Sequence, residues 1–323
     1  MRAAILAAGL GSRLRPFTDH TPKPLLTVGN VPLIDHALAL VRRAGISRIG
    51  VNLHKHAGML REHLQELDTE IVLSEEPVLL GTGGGLRQIE ERLGGDGPLL
   101  VVNADALCGD VDLSELIAIH ERQQAMATLL LRTASEGFTP IWRDGEGRVR
   151  HIGDRGDAPA DWERRVFTGI HVLEPRLLRA LPAGQPCCLI AKAYRPALSR
   201  GEHFASLTWP GYWSDVGAPE RLLEANLAAL ETEVRLPGGL RGERSGATES
   251  LRLVDSTAIL DASARLHGTI VGPDVRIGSN AIVSRSVLLK GARVEPEERL
   301  DGRIRGADAE WAFSRTGKDQ ESR

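Results

Sequence analysis

The residues best suited to chemistry lie near the amino terminus, in the stretch LAAGLGSRLRPFTDHTPK at positions 6–23. A short apolar run at residues 3–6 predicts a buried strand. The small residues and glycines that follow, with Gly9 and Gly11 among them, let a bulky polar group approach the backbone. Arg13, Arg15 and Lys23 add positive charge just beyond. We interpret the stretch as a phosphate-binding site rather than a tight turn with solvated cations.

Two common phosphate loops are excluded. No Gly-x-x-x-x-Gly-Lys-Ser/Thr run of a P-loop occurs in the chain. The dinucleotide fingerprint requires a third small residue where Leu14 stands, and an acidic residue after the next strand. The nearest acid at suitable spacing, Asp35, lies in an apolar pattern of helical period. A dehydrogenase is therefore disfavoured.

The bulk properties narrow the class further. A chain of 323 residues with a formal net charge of −3 predicts one or two domains and gives no sign of a nucleic-acid or membrane partner. Cys108, Cys187 and Cys188 lack metal-ligand spacing and make a poor disulfide framework, so we expect a cytoplasmic protein. The apolar amino terminus is too short for a membrane span and lacks the layout of a signal peptide.

The sequence over positions 1–236 predicts a Rossmann-like α/β domain with a mostly parallel sheet. Apolar runs predict strands at residues 3–6, 49–53, 71–73, 99–102, 127–132 and 167–173. Helical periods predict helices at residues 32–44, 59–67, 113–124, 176–181, 191–200 and 219–233. A glycine-rich loop at residues 81–85 is predicted to open a further helix that ends near Leu93. The run at 99–102 is continuous, which is typical of a strand buried on both faces of a parallel sheet.

The composition changes after position 236. Residues 237–250 are rich in Gly, Ser and charge, and predict a linker. Residues 251–306 repeat every six positions, with Val271, Ile277, Val283 and Leu289 in one apolar column. Leu253, Ile259 and Arg265 continue the column upstream, less regularly. This hexapeptide pattern predicts a short left-handed parallel β-helix. Residues 307–323 are interpreted as a polar tail anchored by an aromatic residue.

With five ordered motifs in place, the first domain resembles the sugar-1-phosphate nucleotidyltransferases, whose opening motif is LAAGxGxRLxPLTxxxPKPL. The five motifs stand at residues 6–25, 80–84, 102–105, 167–170 and 213–217. Within the family, the chain is most similar to N-acetylmuramate-1-phosphate uridylyltransferase in two features. It has a triple glycine, and it lacks a Glu-Lys-Pro element before Thr168. The hexapeptide domain is more similar to that of the mannose-1-phosphate guanylyltransferases.

The resemblance implies a set of site residues. Those expected to bind the nucleotide are Leu6, Ala7, Ala8, Gly9, Gly11, Ser12, Arg13, Glu76, Gly81 and Thr82. Those expected on the sugar-phosphate side are Asn103, Thr168 and Gly169. Lys192 is interpreted as part of a solvated helix face rather than as a phosphate ligand.

The reaction implied is attack of a sugar-1-phosphate on the α-phosphate of an NTP. The attacking phosphate is already largely a dianion at neutral pH, so charge neutralisation matters more than a general base. Arg13 and Lys23 are expected to supply it as catalytic cations, and Asp105 and Asp215 to hold Mg²⁺ as cofactor. Glu76 can accept hydrogen bonds from uracil or guanine, so GTP and UTP both stay open.

Two alternatives accompany this interpretation. The chain can be an active transferase, or a catalytically silent paralogue that binds nucleotide sugars; the joint presence of both cations and both carboxylates favours the enzyme. The β-helix is too short for an acyltransferase, so we expect it to assemble homo-oligomers.

Overall fold

The computed structural model describes residues 1–67, 70–133, 137–154, 159–231, 234–247 and 250–313. The end of the predicted helix 219–233 lies outside these residues, as do parts of the predicted linker and tail. No helix within the described ranges is both long and apolar enough to cross a bilayer.

The N-terminal domain opens with alternating strands and helices, as predicted. Its elements are β1 (Arg2–Leu6), β2 (Thr27–Val28), β3 (Val31–Pro32), α1 (Leu33–Arg43), β4 (Ile49–Leu53), α2 (Ala57–Glu66), β5 (Ile71–Glu75), α3 (Gly81–Leu93) and β6 (Leu99–Asn103). The strands β5, β4, β1 and β6 lie side by side in that order and are all parallel. The helix α1 ends just before Gly45, whose positive φ is a conformation that favours glycine.

The second half of this domain extends the same sheet with antiparallel strands. Its elements are β7 (Ala106–Cys108), α4 (Leu113–Gln123), β8 (Ala127–Thr133), β9 (Pro140–Arg143), β10 (Val149–Ile152), β11 (Glu163–Leu173), α5 (Pro175–Arg179), α6 (Arg195–Ser199), β12 (Phe204–Thr208), β13 (Trp213–Asp215) and α7 (Pro219–Glu231). The long β11 runs antiparallel to β6, β8 and β9, and β12 lies parallel to β8. The predicted helix at 191–200 is a π-helical turn, Ile190–Tyr194, followed by α6.

Both faces of the sheet are covered by helices. On β6, Leu100 and Val102 belong to the core that contains α1, α2 and α4, whereas Leu99 and Val101 face the core with α3 and α5. Side chains alternate across a strand, so a continuous apolar run requires apolar cover on both faces. The structure therefore confirms the prediction that the strand at 99–102 is buried on both faces of the sheet.

The C-terminal domain is a three-sided parallel β-helix. Its strands are β14 (Glu243–Ser245), β15 (Arg252–Val254), β16 (Ile259–Leu260), β17 (Arg265–His267), β18 (Thr269–Val271), β19 (Arg276–Ile277), β20 (Ile282–Ser284), β21 (Val287–Leu288), β22 (Arg293–Val294), β23 (Arg299–Asp301), β24 (Arg303–Arg305) and β25 (Glu310–Ala312). The parallel stacks are β15-β18-β21-β24, β16-β19-β22 and β17-β20-β23.

The period of the coils corrects the predicted column. Partners in the first stack stand at positions 254, 271, 288 and 305, so each coil is one position shorter than three full hexapeptides. Val271, Ile277 and Val283 point inward as predicted, but Leu288 and not Leu289 comes next. Upstream, the predicted column is wrong as well: Ile259 is 60% exposed and Arg265 is exposed, whereas Leu253 packs outside the coil. The missing residue is on the side of each coil that leads into the first stack, which therefore has five residues instead of six. The corner residues on that side, at positions 268, 285 and 302, all have positive φ.

The β-helix shares a core with the N-terminal domain. The outward side chains of its first stack, Leu253, Ile270, Val287 and Ile304, are buried against α7 and the opening segment, including Leu222, Ala225, Leu14 and Phe17. The predicted linker is also docked, because Arg241 donates its amide N–H to the Gly29 carbonyl at 2.9 Å and β14 pairs with β15. Burial of this apolar face stabilises both domains together.

Antiparallel strands cover both ends of the first stack. β14 pairs with the first coil, and β25 pairs with β24 so that Trp311 lies opposite Ile304. Unpaired strand edges invite association with other chains, so these caps protect the stack. Part of the predicted polar tail is therefore sheet structure.

Candidate active site

The loop after β1 presents free backbone donors. Ala7 and Ala8 donate their amides to the Asn52 side-chain oxygen, at 2.6 and 3.3 Å. The amides of residues 9–12, by contrast, donate to no other described residue. Gly11 has a φ of +64°, and a Cβ there would lie 2.9 Å from the Thr18 methyl group. This loop is therefore shaped to receive an anion on its backbone N–H groups.

The loop borders a cavity of about 400 Å³. It lies at the carboxyl ends of β1 and β6, where the order of the parallel strands reverses; open α/β sheets bind ligands at such a point. The predicted residues that line it are Leu6, Ala7, Ala8, Gly9, Gly11, Ser12, Arg13, Lys23, Gly81, Thr82, Asn103 and Asp105. Glu76, Thr168, Gly169 and Asp215 are not among the lining residues.

Lys23 and Asp105 form an ion pair in this cavity. Lys23 begins a short 3-10 helix, Lys23–Leu25, and is flanked by Pro22 and Pro24, which restrict the backbone on both sides. Asp105 follows β6 by two residues and keeps more of its side chain exposed than Lys23 does. A lysine ammonium fixed beside a carboxylate can neutralise phosphate oxygens as a point charge.

Asp215 is brought to Asp105 by a separate strand pair. β13 runs antiparallel to β7, with Asp215 opposite Ala106, and the Val216 amide donates to the Asp105 carbonyl at 3.0 Å. Burial raises the pKa of the Asp215 carboxyl, and the charge of Asp105 raises it further. The positive charges of Lys23, Arg221 and Arg13 oppose that rise in pKa.

Two adjacent carboxylates that repel each other fit a divalent cation. Mg²⁺ is commonly bound by one or two carboxylates together with substrate phosphates and water. No cluster of three or more His, Cys, Asp or Glu side chains that could enclose a metal occurs in the described part of the chain. Asp105 and Asp215 are therefore suited to an ion that completes its coordination with substrate.

Glu76, the predicted base contact, has hydrogen-bond partners within the protein. Its side chain is buried. Its oxygens accept from the Asn52 side-chain amide at 2.7 Å and the Leu80 amide at 2.8 Å. A hydrogen-bonded chain thus runs from Leu80 through Glu76 and Asn52 to Ala7. Each carboxylate oxygen has a further lone pair, so contact with a base stays a prediction.

The glycines at 81–85 serve close packing as well as ligand access. A Cβ on Gly81, Gly83 or Gly84 would lie within 3.0 Å of an atom of Gln185 or Cys187. The Gly83 amide donates to the Cys187 carbonyl at 2.9 Å. The Thr82 hydroxyl accepts from the Leu189 amide at 3.0 Å. These glycines let residues 185–189 pack directly on the start of α3.

The sugar-side residues divide into two groups. Thr168 is buried, and its hydroxyl donates to the Leu130 carbonyl at 2.8 Å, so this side chain has a structural role. Gly169 has a φ of +85°, and a Cβ there would lie 2.7 Å from the Asn103 side-chain nitrogen. Asn103 lines the cavity and depends on that glycine for its space.

Sequence reasoning missed three residues near the site. Asn52 organises the phosphate-binding loop, and its signal was a polar residue inside the otherwise apolar strand Ile49–Leu53. Arg221 lies 3.7 Å from the Asp215 carboxylate and 4.5 Å above the ring of Phe138. Neither Arg221 nor Phe138 had a signal in the sequence pattern, because their neighbours come from distant segments.

A comparison with known families identifies this arrangement. A sequence profile described as "Nucleotidyl transferase" matches residues 2–232. The chain belongs to the nucleotidyl transferase family. The match spans the phosphate-binding loop and both carboxylates of this transferase, and it ends together with α7.

Two relatives match nearly the whole transferase, including the β-helix. The chain is 29% identical over 302 residues to a mannose-1-phosphate guanylyltransferase of Mycobacterium tuberculosis, and this match covers 91% of this chain and 81% of the relative. It is 25% identical over 333 residues to a UTP--glucose-1-phosphate uridylyltransferase of Synechocystis, covering 93% of this chain and 86% of the relative.

A solved structure has the same fold. A protein described as a putative glucose-1-phosphate thymidylyltransferase from Bacillus anthracis superposes on the transferase with a TM-score of 0.59 and 24% identity. The match covers 70% of this chain and 94% of that chain. Nucleotidyltransferases of this family generally use a divalent metal ion, which agrees with the two carboxylates described above.

Proposed function

We propose that this transferase converts an NTP and a sugar-1-phosphate into an NDP-sugar and pyrophosphate. The observation that carries the proposal is the cavity itself, where the free amides of residues 9–12, the cations Arg13 and Lys23, and the Asp105 carboxylate meet, with Asp215 held beside Asp105 by the pairing of β13 with β7. The activities named for the relatives support the same reaction class.

The triphosphate is proposed to lie on the loop after β1. Its oxygens would accept hydrogen bonds from the free amides of residues 9–12, while Arg13 and Lys23 neutralise its charge. Lys23 is paired with Asp105. If Lys23 turns from this carboxylate to a phosphate oxygen when the triphosphate binds, it would neutralise part of the added negative charge and leave Asp105 free to hold a cation.

An oxygen of the sugar-1-phosphate would attack the α-phosphorus as the bond to the β-phosphate oxygen breaks. The electron pair of that bond leaves with pyrophosphate, so the charge to be stabilised develops near Arg13 and Lys23. Mg²⁺, which we propose as the cofactor, would be held by Asp105 and Asp215 and would add positive charge between the two phosphates. No side chain needs to remove a proton.

GTP and UTP are the proposed nucleotides, with a hexose- or amino-sugar-1-phosphate such as mannose-1-phosphate or N-acetylmuramate-1-phosphate as second substrate. We propose that Glu76 affects base choice, either directly or through Asn52. Gln in its place cannot accept N–H donors on its amide nitrogen. Glu76→Gln should therefore lower kcat/KM for both nucleotides if the Leu80–Glu76–Asn52 chain dominates, and change the GTP/UTP ratio if the base is contacted.

The decisive experiment is a pyrophosphate-release screen. Purified protein with Mg²⁺ would be offered the four common NTPs against a panel of sugar-1-phosphates, with Lys23→Met as a matched inactive control. We expect one pair to dominate and EDTA to abolish its turnover. Nucleotide-sugar binding without any pyrophosphate release would favour the second candidate, a silent binding paralogue, although no observed residue loss supports it.

We also propose a cytoplasmic homo-oligomer. The three cysteines are free thiols, which supports a reducing compartment. The second and third stacks of the β-helix end at β22 and β23 without a further described strand, which leaves edges for self-association. Light scattering of the purified protein tests this assembly, and a mass equal to one chain would contradict it.

A further inference from the structure

We propose that Arg221 binds the phosphate of the incoming sugar-1-phosphate, beside an aromatic wall of Phe138 and Trp213. The inference rests on the proposed function and deepens it. It names the cation on the sugar side of the site, a role that neither the motifs nor the cavity lining assign.

The positive charges of the site lie in two places. Lys23 and Arg13 line the nucleotide cavity, so both are committed to the triphosphate. Arg221 lies outside that lining, next to Asp215, with its guanidinium 3.7 Å from the carboxylate. It belongs to the first turn of α7 and so occupies the flank of the carboxylate pair that the nucleotide does not fill.

Aromatic side chains hold Arg221 in place. Its guanidinium stacks 4.5 Å from the centre of the Phe138 ring. That ring contacts Trp213 at 5.1 Å, and the Trp213 indole N–H donates to the Thr168 carbonyl at 2.9 Å. Stacking on a ring fixes the plane of a guanidinium without using its N–H donors. The aromatic wall therefore orients Arg221.

The N–H donors of the Arg221 guanidinium are still available for a ligand. Within the described ranges it makes one long ion pair and no hydrogen bond. A guanidinium carries five N–H donors in a fork that matches two phosphate oxygens. An oriented arginine with unused donors beside a metal-binding carboxylate is suited to a phosphate dianion that must approach another charged phosphate.

A second candidate cation, Lys192, is excluded by its position. It lines a separate surface groove with Arg176 and His203, away from Asp105 and Asp215. Partly exposed Phe138 and Trp213, by contrast, provide an apolar surface on which a sugar ring can pack. Charge and shape thus coincide on the Arg221 flank of the site.

The test measures Michaelis constants for both substrates in Arg221→Gln and Arg221→Lys, using the best pair from the pyrophosphate screen. Loss of a charge-assisted hydrogen bond predicts a roughly 10- to 100-fold rise in KM for the sugar-1-phosphate in Arg221→Gln. KM for the NTP should stay within about twofold. Arg221→Lys keeps the charge and should recover part of the loss, and Lys192→Met should match the wild type.

A purely structural role gives a different result. If Arg221 only holds Asp215, both variants would need more Mg²⁺ while KM for the sugar-1-phosphate stayed unchanged, and the inference would be overturned. Phe138→Leu offers a second variant that keeps the charge; it should raise the same KM severalfold. A wild type that is inactive with every pair would remove the proposed function itself, whereas an active wild type with unchanged KM in these variants removes the inference alone.

Discussion

The two domains differ in how their aspartate side chains are neutralised. In the N-terminal domain, Asp105 and Asp215 lie near each other, and burial together with their repulsion raises the pKa of Asp215. In the β-helix, Arg285 and Asp301 form an exposed bidentate pair, and that pairing raises the pKa of Arg285. The first arrangement is incomplete without a ligand, whereas the second is satisfied by the protein alone. Incomplete electrostatics mark the site, and complete electrostatics mark the scaffold.

Unsatisfied polar atoms follow the same division. Among the described residues, all the buried side-chain nitrogen and oxygen atoms that lack a hydrogen-bond partner belong to the N-terminal domain. They are atoms of His56, Arg165, His171, Tyr194 and Thr208. The β-helix, as far as it is described, contains none. A buried polar group without a hydrogen-bond partner lowers the free energy of unfolding. The N-terminal domain is therefore destabilised by groups of a kind that the described part of the β-helix lacks.

The largest expected effect is on turnover. Asp105→Ala removes one of the two proposed metal ligands, and we expect kcat to fall by about 100-fold or more because preorganised charge dominates such transfers. The melting temperature should change little, since the variant also removes a repulsion. Enzyme kinetics with Mg²⁺ and a thermal melt check both parts, and near-normal turnover would refute the metal assignment.

The next effect concerns the shared core. Ile270 packs between the β-helix and the N-terminal domain, so Ile270→Ala creates a cavity there. This change should cost about 2–5 kcal/mol of unfolding free energy. Ile259 is 60% exposed, which makes Ile259→Ala the matched control. Its loss should stay within about 0.5 kcal/mol. Denaturant unfolding measures both variants, and two separate transitions in the wild type would show that the domains unfold independently, contrary to this expectation.

A third effect appears only in acid. Burial lowers the pKa of His171 to about 3, well below its value of 6.5 in an unfolded chain. The unfolded state therefore binds more protons between these values, so stability falls as pH drops from 6.5 towards 3. His171→Phe should remove that slope, which amounts to about 2–3 kcal/mol by about pH 4.5. Unfolding curves at several pH values test it; an equal acid slope in wild type and variant would show that His171 is protonated in the folded state.

The smallest effect is expected in the scaffold. Asp301→Ala breaks the exposed pair with Arg285, and surface pairs contribute little. We expect stability within about 0.5 kcal/mol of the wild type and unchanged turnover. The same assays as for Asp105→Ala apply, and a marked loss of activity would remove the distinction between the two domains.

The helices and strands that were predicted correctly are those with a regular pattern of apolar residues along the chain. The strand at 99–102 and the helix at 32–44 were found because a continuous apolar run and a helical period are local signals. The glycines at 81–85, which were interpreted as a loop, belong to the first turns of α3 instead. The lining of the cavity followed from motifs that place small residues and cations together.

What escaped prediction depends on distant neighbours. Arg221 acquires its position from Phe138 and Asp215, which come from separate segments. The shortened coil was missed because the six-residue pattern holds on two sides of each coil and fails only at the third corner. The docking of the linker was not predicted, because Gly-rich composition indicates a connecting segment but carries no information on what the segment packs against.

The shortened coil sets a rule for how the length of this scaffold can change. Each docking side chain recurs once per coil, as at positions 253, 270, 287 and 304, and so do the corners and the inward side chains. Adding or deleting one whole coil keeps every later residue in phase, so its apolar side chains still face the core or α7. A change by three full hexapeptides shifts the phase by one position and turns inward side chains to solvent. Insertions and deletions tolerated in this domain should therefore come in whole coils of the observed length, not in multiples of the hexapeptide.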